Sequence, residues 1–298
     1  MKVSELLRDT ARRFKRAGLH YGHGTHNAKE EAAWLISSVL GFLLEQEIDA
    51  KDLRKMEALA RRRIRERIPL AYLLKEAWLG EHSFYIDKRA IVPRSFIAEL
   101  LRDHLGPWLA HEPKRVLDLS TGSGCLAVLL ALEFPNARID AADLSASALH
   151  VARINIKKHE LGKRIRAIRS DLFRSLVKRK YDLIVTNPPY VTANSMRKLP
   201  KEYRHEPSLA LAAGKDGLDL VHRILADAKR HLAPGGLLVC EIGGNREALE
   251  RAYPRLEFAW PETSEGSGCV FILERGQLGA ASTAALPRTS TSLSRRRG

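Results

Sequence analysis

Residues 115–128 read RVLDLSTGSGCLAV: an apolar strand passing through Asp118, a glycine-rich turn, and the start of an apolar helix. Working outward, the same grammar repeats. RIDAADLS (138–145), IRAIRSDLF (165–173), YDLIVTNPPY (181–190) and GGLLVCEIGG (235–244) are short apolar strands, each running into a polar or glycine-rich turn. Helical stretches separate most of them. Alternating strands and helices predict a parallel sheet with helices on both faces, an α/β Rossmann-like architecture. LEFAW (256–260) and CVFILER (269–275) are expected to complete the sheet.

In such a sheet, ligands bind at the carboxyl ends of the strands. The turn Ser120-Thr121-Gly122-Ser123-Gly124 follows Asp118, and its glycines let backbone approach a ligand closely. Asp143 ends the next strand, about twenty residues on, where a carboxylate can accept both hydroxyls of a ribose. The turn is not GxGxxG, because Ala127 stands at the third glycine, which leaves little provision for a pyrophosphate. The third strand ends in Ser170-Asp171-Leu172-Phe173: Asp171 can accept from an adenine amino group while Leu172 packs on the ring. Acidic residues at three successive strand ends point to an adenosyl cofactor bound by Asp118, Ser120, Thr121, Gly122, Ser123, Gly124, Asp143, Asp171, Leu172 and Asn187.

The fourth strand ends in Thr186-Asn187-Pro188-Pro189-Tyr190. Consecutive prolines fix φ and remove two backbone donors, so the chain there offers acceptors only. The Asn187 side-chain oxygen and the Pro188 carbonyl can both accept from one NH2 group, and Tyr190 offers a flat face for a planar amide or base. An amide nitrogen is a poor nucleophile. Holding both its N–H groups aligns it for attack and stabilises the positive charge that develops. Asn187, Pro188, Pro189 and Tyr190 are therefore the expected catalytic group, and no metal is expected.

The flanks have a different character. Ser4, Asn27 (with Glu30 in a capping box) and Asp49 are expected to open three helices, and Pro69 to close the third. Ala32, Ala33, Leu35, Ile36 and Val39 form the expected buried face of the second. In the third, RRRIRER (61–67) reads as a solvated basic face. AWLGEHSFYI (77–86) alternates about Gly80 as a hairpin, with Ile91-Val92 beyond it. The expected organisation is a helical domain over 1–76, a hairpin linker over 77–94, a catalytic domain over 95–277, and a disordered basic tail over 278–298. Trp34, Trp78 and Trp108 are expected to pack, and Cys125 to be a core residue.

The formal net charge is +15 and the pI about 9.9, an excess that favours polyanions. Both the tail and the Arg61–Arg67 run are candidates for that contact. No run of eighteen apolar residues occurs, so no membrane span is expected. Three cysteines without a CxxC pair, and an amino terminus without a signal-type apolar stretch, place the chain in the cytosol.

With IVPRS (91–95), EYRHEPSLALAAGKDGLDL (202–220) and EIGGN (241–245), these motifs resemble the protein-(glutamine-N5) methyltransferases, which are class I methyltransferases with an amino-terminal helical domain. The likeness spans about residues 1–277. It implies S-adenosyl-L-methionine as cofactor and Asn187 to Tyr190 as the holder of a glutamine amide. Of two branches, one acts on peptide chain release factors and the other on ribosomal protein L-three, which would place the basic chain near ribosomal RNA. YGHGTHNA (21–28), VPRSFIAEL (92–100) and the EYRHEP segment resemble the second, although His26 and Phe96 depart from its usual residues. The alternatives are release-factor methylation, methylation of an adenine or guanine amine by the same clamp, and a non-enzymatic RNA-associated scaffold.

Overall fold

The computed structural model describes residues 2–41, 48–103, 105–264 and 266–278. The expected tail lies, beyond Leu278, outside the described residues. Four helices come first: α1 (Val3–Arg16), α2 (Ala28–Leu40), α3 (Ala50–Glu66) and the short α4 (Leu70–Leu74). Asn27 caps α2, its side chain accepting from the amides of Lys29 and Glu30 at 3.0 Å, and Asp49 caps α3. The first cap differs from expectation. Ser4 lies inside the first turn of α1, and the capping position is Lys2. On α2, Ala33 is exposed and Val39 half-buried, so its apolar face is narrower than the sequence indicates. Phe14, Ala32, Leu35, Ala60 and Leu70 pack together between these helices.

The basic run of α3 is not uniformly solvated. Arg61, Arg62 and Arg65 are exposed, but Arg63 is 1% exposed and points among the helices. Pro69 starts α4 rather than ending α3, which stops at Arg67 in the left-handed conformation.

The hairpin β1 (Glu76–Leu79) and β2 (His82–Tyr85) follows, and then α5 (Ile97–Asp103); Ile91 and Val92 form no strand. The remaining elements are β3 (Arg115–Leu119), α6 (Cys125–Glu133), β4 (Arg138–Asp143), α7 (Ala146–Lys158), β5 (Ile165–Arg169), β6 (Tyr181–Thr186), α8 (Ala193–Lys198), α9 (Asp219–His231), β7 (Leu232–Glu241), α10 (Arg246–Ala252), a small ladder of β8 (Glu262–Thr263) with β9 (Gly266–Ser267), and β10 (Val270–Glu274). Six strands form one sheet in the order β10-β7-β6-β3-β4-β5. It is parallel except for β10, which runs antiparallel to β7. LEFAW does not join as a strand; it contributes one bridge, Ala259 to Ile272.

Strand alternation divides the core. Val116, Leu183 and Val239 face one layer with the α6 residues Ala127, Val128 and Leu130, while Leu117, Ile184 and Leu238 face the α9 residues Val221, Ile224 and Leu225. Two apolar layers over one sheet explain why the strands read as continuous apolar runs. The chain reverses direction across the sheet between β3 and β6, so a crevice opens at their carboxyl ends. Asn155 of α7 fastens the hairpin to that end. It accepts from the Tyr85 amide at 2.7 Å and donates to the carbonyls of Tyr85 at 3.0 Å and Ser123 at 2.8 Å.

Two of the three tryptophans expected to pack do not: Trp78 is 46% and Trp108 41% exposed. Cys125 is buried, as expected.

Candidate active site

The glycine turn is built by short backbone exchanges between neighbouring strands. Thr121 donates its amide to the Ala142 carbonyl at 3.0 Å, and Gly122 donates to Asp143 Oδ2 at 2.8 Å. Ser145 donates to the other Asp143 oxygen at 2.8 Å. Asp143 is thus aimed by two amides, with lone pairs left over on the crevice wall. Burial raises its pKa, opposed by those amide hydrogen bonds. Ser120 (φ 62°) and Leu172 (φ 46°) both adopt left-handed backbone where they line the crevice.

Of the residues expected to hold cofactor, Ser120, Gly122, Asp143, Asp171, Leu172 and Asn187 line one cleft, together with Pro189 of the proline turn. Asp118, Thr121, Ser123 and Gly124 do not. Asp118 is fully buried below the turn and accepts from the Thr121 hydroxyl. Ser123 is buried against Cys125. Gly124 (φ 79°) serves packing: a Cβ there would lie 2.9 Å from the Ala152 Cβ on α7. These four shape the turn from behind. Gly124→Ala is accordingly expected to cost about 1–3 kcal/mol of stability from overpacking, read as a lower urea midpoint at unchanged slope.

Sequence reading passed over several residues of the cleft wall: Arg89, Ile91, Pro207, Leu209 and Arg223. Arg223 is the most consequential, because it already donates to Asp171 at 2.8 Å. The chemistry of this wall suits an adenosyl group. One carboxylate, Asp143, stands at one strand end with lone pairs free to accept, and an apolar side chain, Leu172, and a second carboxylate, Asp171, stand at the next.

The proline turn lies beside it. Asn187 Nδ2 donates to the Arg94 carbonyl at 3.3 Å, which fixes the amide orientation and leaves Oδ1 as an acceptor. Pro188 is buried. The Tyr190 carbonyl accepts from Asn245 Nδ2 at 2.9 Å, and its hydroxyl meets Glu241 Oε1 at 3.4 Å. Its ring lies against Gly243, where a Cβ would come within 2.8 Å of it.

Two buried carboxylates hold the 92–96 segment that supports Asn187. Glu241 accepts from the Ser95 hydroxyl at 2.6 Å and the Phe96 amide at 3.0 Å. Glu206 accepts from both terminal nitrogens of Arg94, at 2.8 and 2.7 Å, and from the Val92 amide at 3.0 Å. Burial pushes the Glu206 carboxyl up, but Arg94 and His23 outweigh it and hold it at about 2. Four residues earlier, Glu202 accepts from Arg63 at 3.3 Å, Arg67 at 3.2 Å and the His20 amide at 3.1 Å. The EYRHEP segment is therefore fastened to the helices at one end and to the floor under Asn187 at the other. Sequence reading singled out VPRS, EYRHEP and EIGGN as motifs without assigning their charged residues a task; only the fold pairs them.

Glu241 and Asp118 have a further consequence. Burial, only partly opposed by hydrogen bonds, raises both carboxyls to about 7, from 4.5 and 3.8. Each folded pKa exceeds its unfolded value, so folding takes up protons. Their contribution is full below about pH 4 and is lost as pH rises through 7. Glu241→Gln is expected to remove roughly 3 kcal/mol of that fall, from the size of its shift. Urea denaturation at pH 5 and pH 8 checks this; an unchanged difference between the two would contradict it.

The methyltransferase small domain family matches residues 97–201. Over 285 residues the chain is 52% identical to the ribosomal protein uL3 glutamine methyltransferase of Neisseria meningitidis serogroup B, covering 93% of this chain and 94% of that one. It is 47% identical over 295 residues to the enzyme of that name from Burkholderia pseudomallei, covering 93% and 96%. The chain belongs to the uL3 glutamine methyltransferase family. It is a methyltransferase, and its cofactor is S-adenosyl-L-methionine. Among solved structures, the hMettl16 catalytic domain in complex with MAT2A 3'UTR hairpin 6 shares the fold, with a TM-score of 0.51 at 16% identity over 81% of this chain and 91% of that one. No helix among the described residues is long and apolar enough to cross a membrane.

Proposed function

We propose that this methyltransferase acts on the side-chain amide nitrogen of a glutamine in ribosomal protein uL3, in the cytosol. The observation that carries the reading is the orientation of Asn187: its NH2 is engaged by the Arg94 carbonyl, so its oxygen is the atom offered to a substrate. Two acceptors there, Asn187 Oδ1 and the Pro188 carbonyl, match the two hydrogens of a substrate NH2; a hydroxyl offers only one and a carboxylate none. The relatives' name supplies the protein that bears the glutamine.

Bound S-adenosylmethionine supplies an electrophilic methyl carried on a sulfonium. Asp143 would accept from its ribose hydroxyls, Ser120 and Gly122 would approach it from the turn, and Leu172 and Asp171 would flank its adenine. Asn187 Oδ1 and the Pro188 carbonyl would each accept one N–H of the glutamine amide. That fixes the nitrogen, and both acceptors strengthen as positive charge gathers on it. Tyr190, held by Glu241 and Asn245, keeps the turn in place. The new N–C bond forms as the methyl carbon's bond to the sulfonium sulfur breaks, its electron pair staying on what becomes a neutral thioether sulfur, and the nitrogen afterwards gives up one proton to solvent.

The test offers labelled S-adenosylmethionine to purified uL3, a release factor and RNA side by side, followed by mass mapping. Label on a uL3 glutamine is expected. Label on the release factor alone would keep the chemistry but change the substrate, and label on RNA alone would overturn the amide reading.

A further inference from the structure

The amino-terminal ends of the parallel strands, at the pole of the sheet opposite the cofactor cleft, form a groove with an unusual charge. Its walls carry seven cations against one carboxylate, Asp140. Three of the cations have local work. Arg179 pairs with Asp140 at 2.5 Å, Arg164 caps α6 through the Ala131, Phe134 and Pro135 carbonyls, and Lys180 donates to the Arg230 carbonyl at 2.6 Å. The other four, Arg115, Arg138, Lys163 and Arg166, are exposed, and their side chains form no ion pair among the described residues, although the Arg115 amide donates to Asp182 at 2.9 Å.

Their placement in the sheet is costly. Arg115 and Arg138 are direct cross-strand partners in the β3–β4 register, and like charges so placed repel. Arg166 stands opposite Asp140 on β5, but that carboxylate is already taken by Arg179 and by the Tyr181 hydroxyl at 2.8 Å. The chain therefore keeps several like charges together where neutral residues would fold better. The groove's apolar lining, Ile139, Ile165 and Tyr181, is buried and offers no anchor. A protein partner would require an apolar centre, and an anionic bilayer surface would favour an apolar face to insert. No aromatic ring is exposed there for base stacking. What remains is a partner that supplies regularly spaced negative charge through its backbone.

We propose that this groove docks the phosphate backbone of an RNA helix, holding the enzyme on its partner without touching the methyl-transfer cleft. Strands of five residues at about 3.3 Å each separate the two sites by roughly 15 Å, so both can be filled together. Contacts to phosphate position without reading sequence, so the groove is expected to bind RNA helices of any sequence and to do so with steep salt dependence. The proposal does not rest on the glutamine reading, since binding is measured without methyl transfer.

The experiment is an anisotropy titration of a fluorescent RNA hairpin, with a stem of about 16 base pairs, at several KCl concentrations. Three full-length proteins are compared: the parent, the groove variant R115Q/R138Q/K163Q/R166Q, and an equal-charge control on the exposed face of α1, R8Q/R12Q/K15Q/R16Q. S-adenosylmethionine binding by calorimetry confirms that each is folded. The groove variant is expected to bind at least tenfold more weakly than the control, with a shallower salt slope, each lost phosphate contact removing about 0.9 from its magnitude. Should the fourfold variant fail to fold, Arg138→Glu alone is expected to weaken binding at least threefold relative to Arg12→Glu. A smaller difference from the control, no binding by the parent, or tighter binding to polyglutamate or to anionic vesicles than to the hairpin would overturn the proposal.

Discussion

Asn187→Ala is expected to slow methyl transfer by about 10²–10³-fold, the loss seen when one preorganised charge-stabilising group is removed, while S-adenosylmethionine binds much as it does to the parent. The Asn187 side chain is placed to do two things: donate to the Arg94 carbonyl at 3.3 Å, and leave an oxygen facing the cleft. Alanine does neither. Asn187→Asp separates the two, because it keeps the acceptor but turns a carboxylate against the Arg94 carbonyl. It is expected to fall between parent and alanine and to worsen as pH rises above the carboxylate range. Single-turnover transfer rates beside calorimetric cofactor affinities check this. An Asn187→Ala enzyme within tenfold of the parent rate would sink the clamp; one that lost cofactor affinity in step with rate would move Asn187 to the cofactor side of the site.

Arg63→Leu is expected to destabilise the fold by about 3–5 kcal/mol, because it leaves the buried Glu31 without its cation and Glu202 with Arg67 alone. Arg63 donates to Glu31 at 2.5 Å, to Glu202 at 3.3 Å and to the His20 carbonyl at 2.9 Å. Against an ordinary stability of about 5–15 kcal/mol, the loss would be plain in a urea titration. The triple variant Arg63→Leu, Glu31→Gln, Glu202→Gln is expected to recover much of it, because neutral amides cost less to leave buried than unpaired charges. Arg62→Leu, one residue away and exposed, is expected to change stability by no more than about 0.5 kcal/mol. Equal losses at the two positions would mean that Arg63 is solvated after all.

Much of the architecture was legible because its signal is local. The strands at 115–119, 138–143, 165–169, 181–186 and 232–241 are apolar runs ending in turn residues, and a sheet buried on both faces requires that pattern. The caps at Asn27 and Asp49 were legible for the same reason: a side chain two or three residues from an amide leaves a trace in sequence. LEFAW has strand composition, yet pairs only at Ala259, since composition does not reveal whether a neighbouring edge is free.

The cleft divides in the same way. By itself the sequence determined which residue types stand at the strand ends: the glycine turn, Asp143, Asp171 and the Asn-Pro-Pro-Tyr turn. It could not show that Asp118 and Gly124 lie behind the turn, because facing a cleft or facing α7 depends on how that helix returns. Nor could it show that Arg63, inside RRRIRER, is the fully buried arginine of the run. Its partner Glu202 is 139 residues away, and Glu206 lies 112 residues from the Arg94 it binds. Such pairs have no spacing to read. Tertiary structure alone decided them, because a buried charge is tolerable only where the folded chain brings its opposite within hydrogen-bonding distance.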